Sequence, residues 1–564
     1  MCGIVGAATR RDVTGILLEG LQRLEYRGYD SAGLVLVDAD NALQRVRRVG
    51  KVAELKSACQ KGSDTSPGRG ETGIAHTRWA THGKPTEGNA HPHVSSEKIA
   101  VVHNGIIENH HELRLDLESA GYIFASETDT EVVAHLVHRE VASNGDFKSG
   151  VVSALALLRG AYAVGVVHTD HPGKIIAARI GSPLVVGCGI GENFIASDPQ
   201  ALRPVTDRFI YLDEGEIVVI TADTIEIFGG SDVPTDSRIV QLDATADATD
   251  KGGYRHYMMK EIHEQPDSVR RTLEGRITDK QVLINAFGAD AESIFSQTKA
   301  VQIVACGSSF YTGLVAKYWC EQIVGVPCHV EIASEFRYRK VAVQPNTLMV
   351  TISQSGETAD TLAALRDATD ENYLASLCLC NVPNSSLVRE SDLCLMINAG
   401  PEICVASTKA FTNQLTDLML LVLALAKSQG MSPEDEAGYV SALNSVPSLL
   451  KETLSRDSEI KVVAEQFVDK HHALFLGRGM HHPVALEGAL KLKEISYIHA
   501  EGYPAGELKH GPLALVDDDM PVVAVAPGDD LLEKVLSNLE EVRARGGQLI
   551  VFGDQDTVGE VDDM

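Results

Sequence analysis

A cysteine stands second in the chain, directly behind the initiator methionine and at the start of the run CGIVG. Removal of that methionine gives Cys2 both a thiol and a free α-amine. The α-amine has an ordinary pKa of roughly 7.7 to 8.0, so near neutral pH it can accept the thiol proton without a separate histidine. Cys2 therefore predicts an amino-terminal nucleophile, although an isolated cysteine here is more often a small residue that begins a buried strand.

A polar block downstream offers the groups that a small charged substrate needs. Arg78 presents a guanidinium that binds a carboxylate, Trp79 an aromatic lid, and Thr81 and His82 hydrogen-bonding groups. Asp129 supplies an anion for an α-amine. A cation and an anion together favour a ligand with both an α-amine and an α-carboxylate, as glutamine has. Each residue alone is better explained as part of a surface ion pair or a loop cap.

A strand predicted at residues 99–102 leads into His103, Asn104 and Gly105. A glycine lets the backbone approach a reacting atom closely, so the Asn104 side chain and the Gly105 amide are predicted to form an oxyanion hole. Together with Cys2, these residues predict acyl-transfer chemistry on an amide.

Length and charge limit the class of protein. A chain of 564 residues is too long for one core and suggests three to four domains. The formal net charge of −28 argues against a nucleic-acid or anionic-membrane surface. Arginines at positions 10 and 11 interrupt any signal peptide, and the longest apolar run, residues 418–426, is too short to span a bilayer. We expect a cytoplasmic enzyme.

The ten cysteines include no CxxC pair. Apart from Cys2, we interpret them as small core residues of a protein in a reducing compartment. Histidine pairs at 110–111, 471–472 and 481–482 lack partners at ligand spacing, so no metal is predicted. No other cofactor is expected.

The alternation typical of strands ends near residue 240, where a small, acidic and aperiodic stretch follows. We therefore predict a first domain over residues 2–240, a linker over 241–256, a second domain over 257–430 and a third over 431–564.

The second half of the chain contains an internal repeat. Gly307 and Gly479, and Ala333 and Ala505, are each 172 positions apart, and apolar strands recur at the same offset. Each copy alternates short apolar strands with helical stretches, so each is predicted to form a parallel sheet flanked by helices, with ligands at the carboxyl ends of the strands.

Two of these strand ends in the first copy carry hydroxyl-rich turns before a helix. They are residues 306–309, with sequence CGSS, and residues 353–358, with sequence SQSGET. Such turns bind anions through free backbone N–H groups and the helix dipole, although plain N-capping explains either one alone. Two in one copy favour a phosphate. The second copy lacks the hydroxyls, so only the first is expected to hold it.

The second copy is predicted to supply acid–base groups. Glu487, Lys491 and Glu494 fall on one helix face, and His510 follows in the run ELKHGP. Glu494 is our candidate for moving a proton between C1 and C2 of a sugar, and His510 for ring opening. The alternative for the helix residues is a solvated ion-pair ladder.

Several blocks of the first 130 residues together resemble the amino-terminal-nucleophile glutaminase domain, and the repeated half resembles tandem sugar-isomerase (SIS) domains. Across the whole chain the resemblance is to the glutamine:fructose-6-phosphate aminotransferase family. The glutaminase blocks are residues 2–6, 24–33, 78–83, 103–105 and 126–130.

The resemblance implies a fold and an activity. The fold is an α/β multi-domain chain: an αββα sandwich followed by two doubly wound parallel-sheet SIS domains. The activity is glutamine-dependent conversion of fructose 6-phosphate to glucosamine 6-phosphate, with ammonia passing through an internal channel gated near Trp79. It also implies a homodimer in which His510 crosses the interface. The positions matching the family's sugar-phosphate site are Gly307, Ser309, Ser353, Gln354, Ser355, Thr358, Val405 and Ser407.

One departure concerns the end of the second copy. The first copy continues for some forty residues beyond the position equivalent to residue 564, so the second sheet is expected to be incomplete. The family carries a further tail with a Schiff-base lysine, and no residue here matches it. We expect the chain as given to lack full synthase activity and to retain glutaminase chemistry.

Two other classes of function, an enzyme with another substrate and a sensor, fit the same residues. The glutaminase could serve a different sugar phosphate, or the protein could deglycate fructosamine phosphates. The SIS pair could instead be a non-catalytic sugar-phosphate sensor, against which Glu494 and His510 argue.

Overall fold

The computed structural model describes residues 2–25, 28–60, 66–229, 234–242, 251–369, 372–554 and 557. Most of the acidic stretch predicted as a linker, residues 243–250, lies outside the described residues, as do Tyr26 and Arg27 of the block at 24–33. The chain divides into two compact units, residues 1–249 and 250–564.

The first unit contains fourteen described strands and five described α-helices. Short 3-10 helices cover Pro199–Ala201 and Thr235–Arg238. The strands are β1 (Gly3–Ala8), β2 (Ser31–Asp38), β3 (Leu43–Val49), β4 (Gly70–Arg78), β5 (His93–Ser95), β6 (Ile99–Ile107), β7 (Gly160–His168), β8 (Ile175–Ile180), β9 (Val185–Cys188), β10 (Asn193–Ala196), β11 (Arg208–Tyr211), β12 (Ile217–Ile220), β13 (Ile225–Phe228) and β14 (Val240–Gln241). The helices are α1 (Thr14–Leu24), α2 (Val52–Ala58), α3 (His110–Ser119), α4 (Asp129–Asn144) and α5 (Phe147–Leu155).

These strands form two sheets that pack face to face. One sheet has the order β14-β11-β9-β10-β1-β4-β2-β3 and the other β13-β12-β8-β7-β6-β5. Ile4 and Ile74 of the first sheet share a core with Val102 of the second. Helices α1 and α2 cover the outer face of the first sheet, and α4 and α5 cover that of the second. The result is the predicted αββα sandwich.

Alternation along three strands directs side chains into the layer between the sheets. In β1, Val5 packs toward the outer helices while Ile4 faces the other sheet. Ile74 in β4 and Val102 in β6 also face this inner layer. Side chains two or four positions further along each strand therefore point into the same inner layer. Near the ends of these strands such side chains are polar, so the apolar layer ends in a polar region.

The second unit holds two parallel sheets. Its strands are β15 (Ala300–Ala305), β16 (Cys328–Ile332), β17 (Thr347–Ser353), β18 (Ala375–Cys380), β19 (Leu393–Met396), β20 (His472–Gly477), β21 (His499–Pro504), β22 (Pro521–Val525) and β23 (Gln548–Phe552). The α-helices are α6 (Tyr257–Leu273), α7 (Ala291–Gln297), α8 (Gly307–Trp319), α9 (Ala333–Phe336), α10 (Ala359–Thr369), α11 (Ser386–Glu390), α12 (Lys409–Ser428), α13 (Pro433–Leu454), α14 (Asp457–Glu465), α15 (His481–Ser496) and α16 (Leu532–Arg543). Shorter 3-10 helices cover Ile284–Phe287, Ala505–His510 and Pro512–Leu515, and Cys320–Val324 is a π-helical turn.

The two sheets repeat one strand order. The first runs β16-β15-β17-β18-β19 and the second β21-β20-β22-β23, all parallel. In the first copy, buried strands β15 and β17 end at the two hydroxyl-rich turns, and helices α8 and α10 follow. Within the described residues, none of the helices has the length and apolar composition needed to cross a membrane.

Candidate functional site

Cys2 lies at the end of the layer between the two sheets of the first unit. It immediately precedes β1, which pairs antiparallel with β4 through Gly3 and Thr77. That register places the thiol beside the end of β4, where the Trp79 amide donates to Cys2 Sγ at 3.3 Å. The sulfur also lies 3.5 Å from the Trp79 carbonyl oxygen. The structure therefore brings Cys2 and Trp79 into contact.

The ionisation of the thiol is set by competing effects. Burial raises the pKa of Cys2 above its ordinary value, while the Trp79 amide and the charge of Arg78 act in the opposite direction. Because burial dominates, the sulfur is held as a thiol near neutral pH. A base must therefore remove its proton before it attacks.

Asn104 and Gly105 face the nucleophile from the second sheet. Asn104 Nδ2 donates to the carbonyl oxygen of Cys2 at 3.1 Å. Gly105 has a φ of +121°, and a Cβ there would lie 2.0 Å from the Ala161 carbonyl oxygen, so only glycine fits. The sequence predicts a strand only to residue 102, but both residues lie within β6. The strand is longer because β7 pairs with β6 along its full length.

Asp129 opens α4 and is almost fully buried. Its Oδ2 accepts from the amide of Ile107 at 3.0 Å and lies 4.0 Å from His103 Nδ1. Thr128 caps the helix by accepting from the Glu131 amide. The helix amino terminus and the end of β6 thus fix the position of this carboxylate.

Arg78 is also buried, and its guanidinium holds the loop that follows β4. It donates to the carbonyl oxygens of His82 and Gly83, the latter at 3.0 Å, and to that of Lys84 at 3.3 Å. In the same loop, the Thr81 hydroxyl lies 3.3 Å from His82 Nδ1. Arg78 therefore shapes the loop around Cys2, a positioning contact that residue type alone did not reveal.

In the second unit, the turn after β17 is organised by its own hydroxyls. Ser353 Oγ accepts from the Gly356 amide at 3.0 Å and lies 3.1 Å from Thr358 Oγ1, and Ser355 Oγ accepts from the Glu357 amide at 3.2 Å. Gly356 has a φ of +66°, and a Cβ there would strike the Ser385 hydroxyl. The adjoining residue Gln354 is half-buried.

The other predicted sugar-phosphate residues lie at the start of α8 and before α12. Gly307 and Ser309 open α8, and Ser309 is half-buried. Val405 is exposed, and Ser407 Oγ donates to Glu402 at 3.4 Å. Glu261 of α6 anchors the loop that carries Val405 and Ser407. It accepts hydrogen bonds from the backbone amides of residues 403 and 404, at 2.6 Å and 3.1 Å respectively. The sequence offered no signal for this anchor, because it lies 142 residues away.

The acid–base residues of α15 contact the first copy directly. Lys491 Nζ lies 3.4 Å from Glu487 and 2.5 Å from Glu494. Ser308, at the start of α8, donates to Glu487 at 2.8 Å and accepts from Lys491 at 3.2 Å. Burial raises the pKa of Glu487. Glu487 is buried, Lys491 and Ser308 are half-buried, and Glu494 is exposed. The ion pairs are those of the alternative interpretation, a ladder along one helix face, and the contacts of Ser308 add a connection to the first copy.

His510 is not joined to this network. It ends the 3-10 helix Ala505–His510 and is exposed. Among the described residues, no hydrogen bond or ion pair connects it with the helix that carries Glu494.

The fold and these contacts define a class of protein: a glutamine amidotransferase domain joined to tandem SIS domains. A glutamine amidotransferase family model matches residues 76–204, and the SIS domain model matches residues 294–424 and 466–558. The chain belongs to the glutamine–fructose-6-phosphate aminotransferase (isomerizing) family.

Relatives with that name are similar over nearly the whole chain. The protein of Pseudomonas putida is 59% identical over 556 residues, covering 98% of this chain and 90% of the relative. The Escherichia coli K12 protein is also 59% identical, over 99% of this chain and 90% of its own length. The solved C-terminal domain of the Francisella tularensis glucosamine-fructose-6-phosphate aminotransferase is 54% identical, with a TM-score of 0.55 over 56% of this chain and 88% of that domain.

Proposed function

We propose that the protein transfers nitrogen from glutamine to D-fructose 6-phosphate, giving glutamate and D-glucosamine 6-phosphate. The observation that carries this is the similarity of 59% over 98% of the chain to a protein named for that reaction. The contacts of Cys2 and of the Ser308–Glu487–Lys491 network support a glutaminase site in one unit and a sugar site in the other.

The glutaminase half begins at Cys2. After removal of the initiator methionine, the α-amine accepts the thiol proton and Sγ attacks the glutamine side-chain carbonyl. Asn104 Nδ2 and the Gly105 amide donate to the oxyanion. Ammonia leaves with that proton, and water hydrolyses the thioester to glutamate. Arg78 and Asp129 bind the α-carboxylate and α-amine of the substrate, with Trp79, Thr81 and His82 around them.

The sugar half uses both SIS copies. The turn at residues 353–358 and the start of α8 hold the phosphate of fructose 6-phosphate, and the loop with Val405 and Ser407 contacts the sugar. Ammonia condenses with the ketose carbonyl, releasing water. Glu494 then moves a proton from C1 to C2, Lys491 holds that carboxylate in place, and His510 opens the ring.

We also propose a homodimer, in which His510 of one copy completes the sugar site of the other, and a cytoplasmic location. The exposed position of His510, apart from Glu494, supports the shared site. The domain boundaries proposed are 2–240, 257–430 and 431–564.

The test is to incubate the purified product of the whole gene, including any residues that follow Met564, with glutamine and fructose 6-phosphate and to measure glutamate and glucosamine 6-phosphate. The Cys2→Ala variant should release no glutamate. The Glu494→Gln variant should release glutamate and form no aminosugar. Glutamate release that is stimulated by fructose 6-phosphate, with no aminosugar formed by the unmodified protein, would contradict the assigned acceptor.

A further inference from the structure

His76 is a fully buried histidine that joins the two sheets of the first unit. It lies in β4, two residues beyond Ile74, so it faces the inner layer. Its Nε2 lies 3.0 Å from Oδ1 of Asn104, which belongs to β6 of the other sheet. The alternation along β4 predicts an apolar core residue at this position, and the chain has His76 there. Its hydrogen-bond partner, Asn104, is the predicted oxyanion donor.

The hydrogen-bond network fixes the tautomer of His76. Asn104 Nδ2 is committed to donating to the Cys2 carbonyl oxygen, so Oδ1 is the atom that faces His76 and must accept. Nε2 therefore carries the proton. Nδ1 is buried and makes no hydrogen bond within the described residues. This agrees with a tautomer in which Nδ1 carries no proton and therefore needs no acceptor. The ring stacks on His91 with centroids 4.1 Å apart.

The ring also stays uncharged. Burial lowers the pKa of His76 to about 3, and the charge of the neighbouring His103 acts in the same direction, while the hydrogen bond with Asn104 acts against it. Its one proton points toward Asn104, so His76 is a fixed hydrogen-bond donor rather than a base for the thiol.

We propose that His76 is a positioning residue that holds the Asn104 amide in the orientation required for the oxyanion hole. This inference rests on the proposed glutaminase function. An Asn amide offers N–H on one side and oxygen on the other, and a flip would turn Oδ1 toward the developing oxyanion. The His76 donor favours one orientation. Of the two Nδ2 hydrogens, one then binds the Cys2 carbonyl and the other remains for the oxyanion.

The test compares two substitutions of His76 by steady-state glutaminase kinetics. The His76→Phe variant keeps the ring shape and loses the donor. Its kcat should fall by about 10²-fold, as when an oxyanion donor is lost, with the KM for glutamine changed by less than about threefold. The His76→Gln variant keeps an N–H donor, and its kcat should recover to within about tenfold of the unmodified protein.

Three further measurements separate positioning from damage to the fold. Iodoacetamide should alkylate Cys2 at the same rate in His76→Phe and the unmodified protein, because alkylation needs no oxyanion hole. Intact mass should show the same methionine removal. The control is His168→Phe, a buried histidine of β7 whose Nδ1 accepts from the Asp170 amide, and its kcat should be unchanged.

A wild-type kcat in His76→Phe, an equal loss in His76→Gln, or slower alkylation of Cys2 would each overturn the positioning role. These results leave the proposed function standing as long as Cys2→Ala remains inactive. Glutamine hydrolysis that persists in Cys2→Ala would instead contradict the proposed function itself.

Discussion

At the scale of single residues, the nucleophile is defined by its surroundings as much as by its position in the chain. Cys2 is partly buried, and its strongest described polar contact is the Trp79 amide. One hydrogen bond to sulfur does not offset burial, so the thiol is stabilised against ionisation. Its reactivity depends on the α-amine.

This environment predicts the pH dependence of Cys2 alkylation. Because burial raises the pKa of Cys2, the iodoacetamide rate should keep increasing with pH and give an apparent pKa above the roughly 8.5 of an ordinary thiol. Mass spectrometry of the amino-terminal peptide measures the rate. The Asp129 charge also raises this pKa, so Asp129→Asn should move the profile to lower pH. An apparent pKa below about 8 in the unmodified protein would contradict the prediction.

A second prediction at this scale concerns Lys491. Its ammonium holds Glu487 and Glu494 together and bonds Ser308, so Lys491→Met leaves two carboxylates without their shared cation. Glucosamine 6-phosphate formation should fall by about 100-fold or more while glutamine hydrolysis is unchanged. Lys493→Met, an exposed change on the same helix, is the matched control. Equal synthesis by both variants would argue against the role of Lys491.

At the scale of elements, β4 and β5 carry part of a buried group of imidazoles. His76 and His91 stack, and His91 contacts His93 edge-on at 5.0 Å. Burial lowers the pKa of His76 and of His93 to about 3 and that of His91 well below its ordinary value. The native first unit therefore takes up no proton on these residues as the pH falls from 7 to 5.

This predicts that the stability of the first unit falls in mild acid. The unfolded chain binds a proton at each of these histidines below pH 6.5 while the native state does not, so the free energy of unfolding decreases as pH is lowered. The loss should be about 1.5 kcal/mol for each histidine between pH 6.5 and pH 5. Urea unfolding followed by Trp79 fluorescence in a Trp319→Phe background measures it, since the chain has two tryptophans.

The control for this prediction is His76→Phe, which removes one of the three protonation sites. Its loss of stability between the same two pH values should be smaller by about a third. A free energy of unfolding that is constant or higher at pH 5 would show that the native histidines are protonated.

Much of the element scale was predictable from sequence. The fold-class prediction is confirmed: the repeat offset of 172 relates β15 to β20 and β18 to β23 with at most one residue of difference at their starts. Hydrophobic alternation carries that information because it is local. The contact of Ser308 with Glu487 joins residues 179 positions apart, and that of His76 with Asn104 joins two sheets. Local patterns contain no information on contacts between residues so distant in sequence. The period-2 pattern that follows Ile74 does, however, place the His76 side chain in the layer between the two sheets.

At the scale of the whole molecule, the two units have separate cores. The first has one core between its sheets and one under each helix layer, all built from its own residues. The largest core of the second unit likewise contains residues 269–443 only. Each unit therefore has the packing needed to fold independently.

We accordingly predict that residues 1–249, produced alone, fold and hydrolyse glutamine with a kcat within about tenfold of the full chain. The fragment should form no aminosugar with fructose 6-phosphate, because Glu494 and Lys491 belong to the other unit. Glutamate release and circular dichroism measure the two properties. A fragment that is folded but inactive would mean that the second unit contributes to the glutaminase site.

The central place of β1 in its sheet has a practical consequence. This strand is flanked by β4 and β10, and it begins one residue after Cys2. An affinity tag fused ahead of Cys2 would block the α-amine and crowd the space beside Trp79, so recombinant protein intended for assays should carry its purification handle at the opposite terminus.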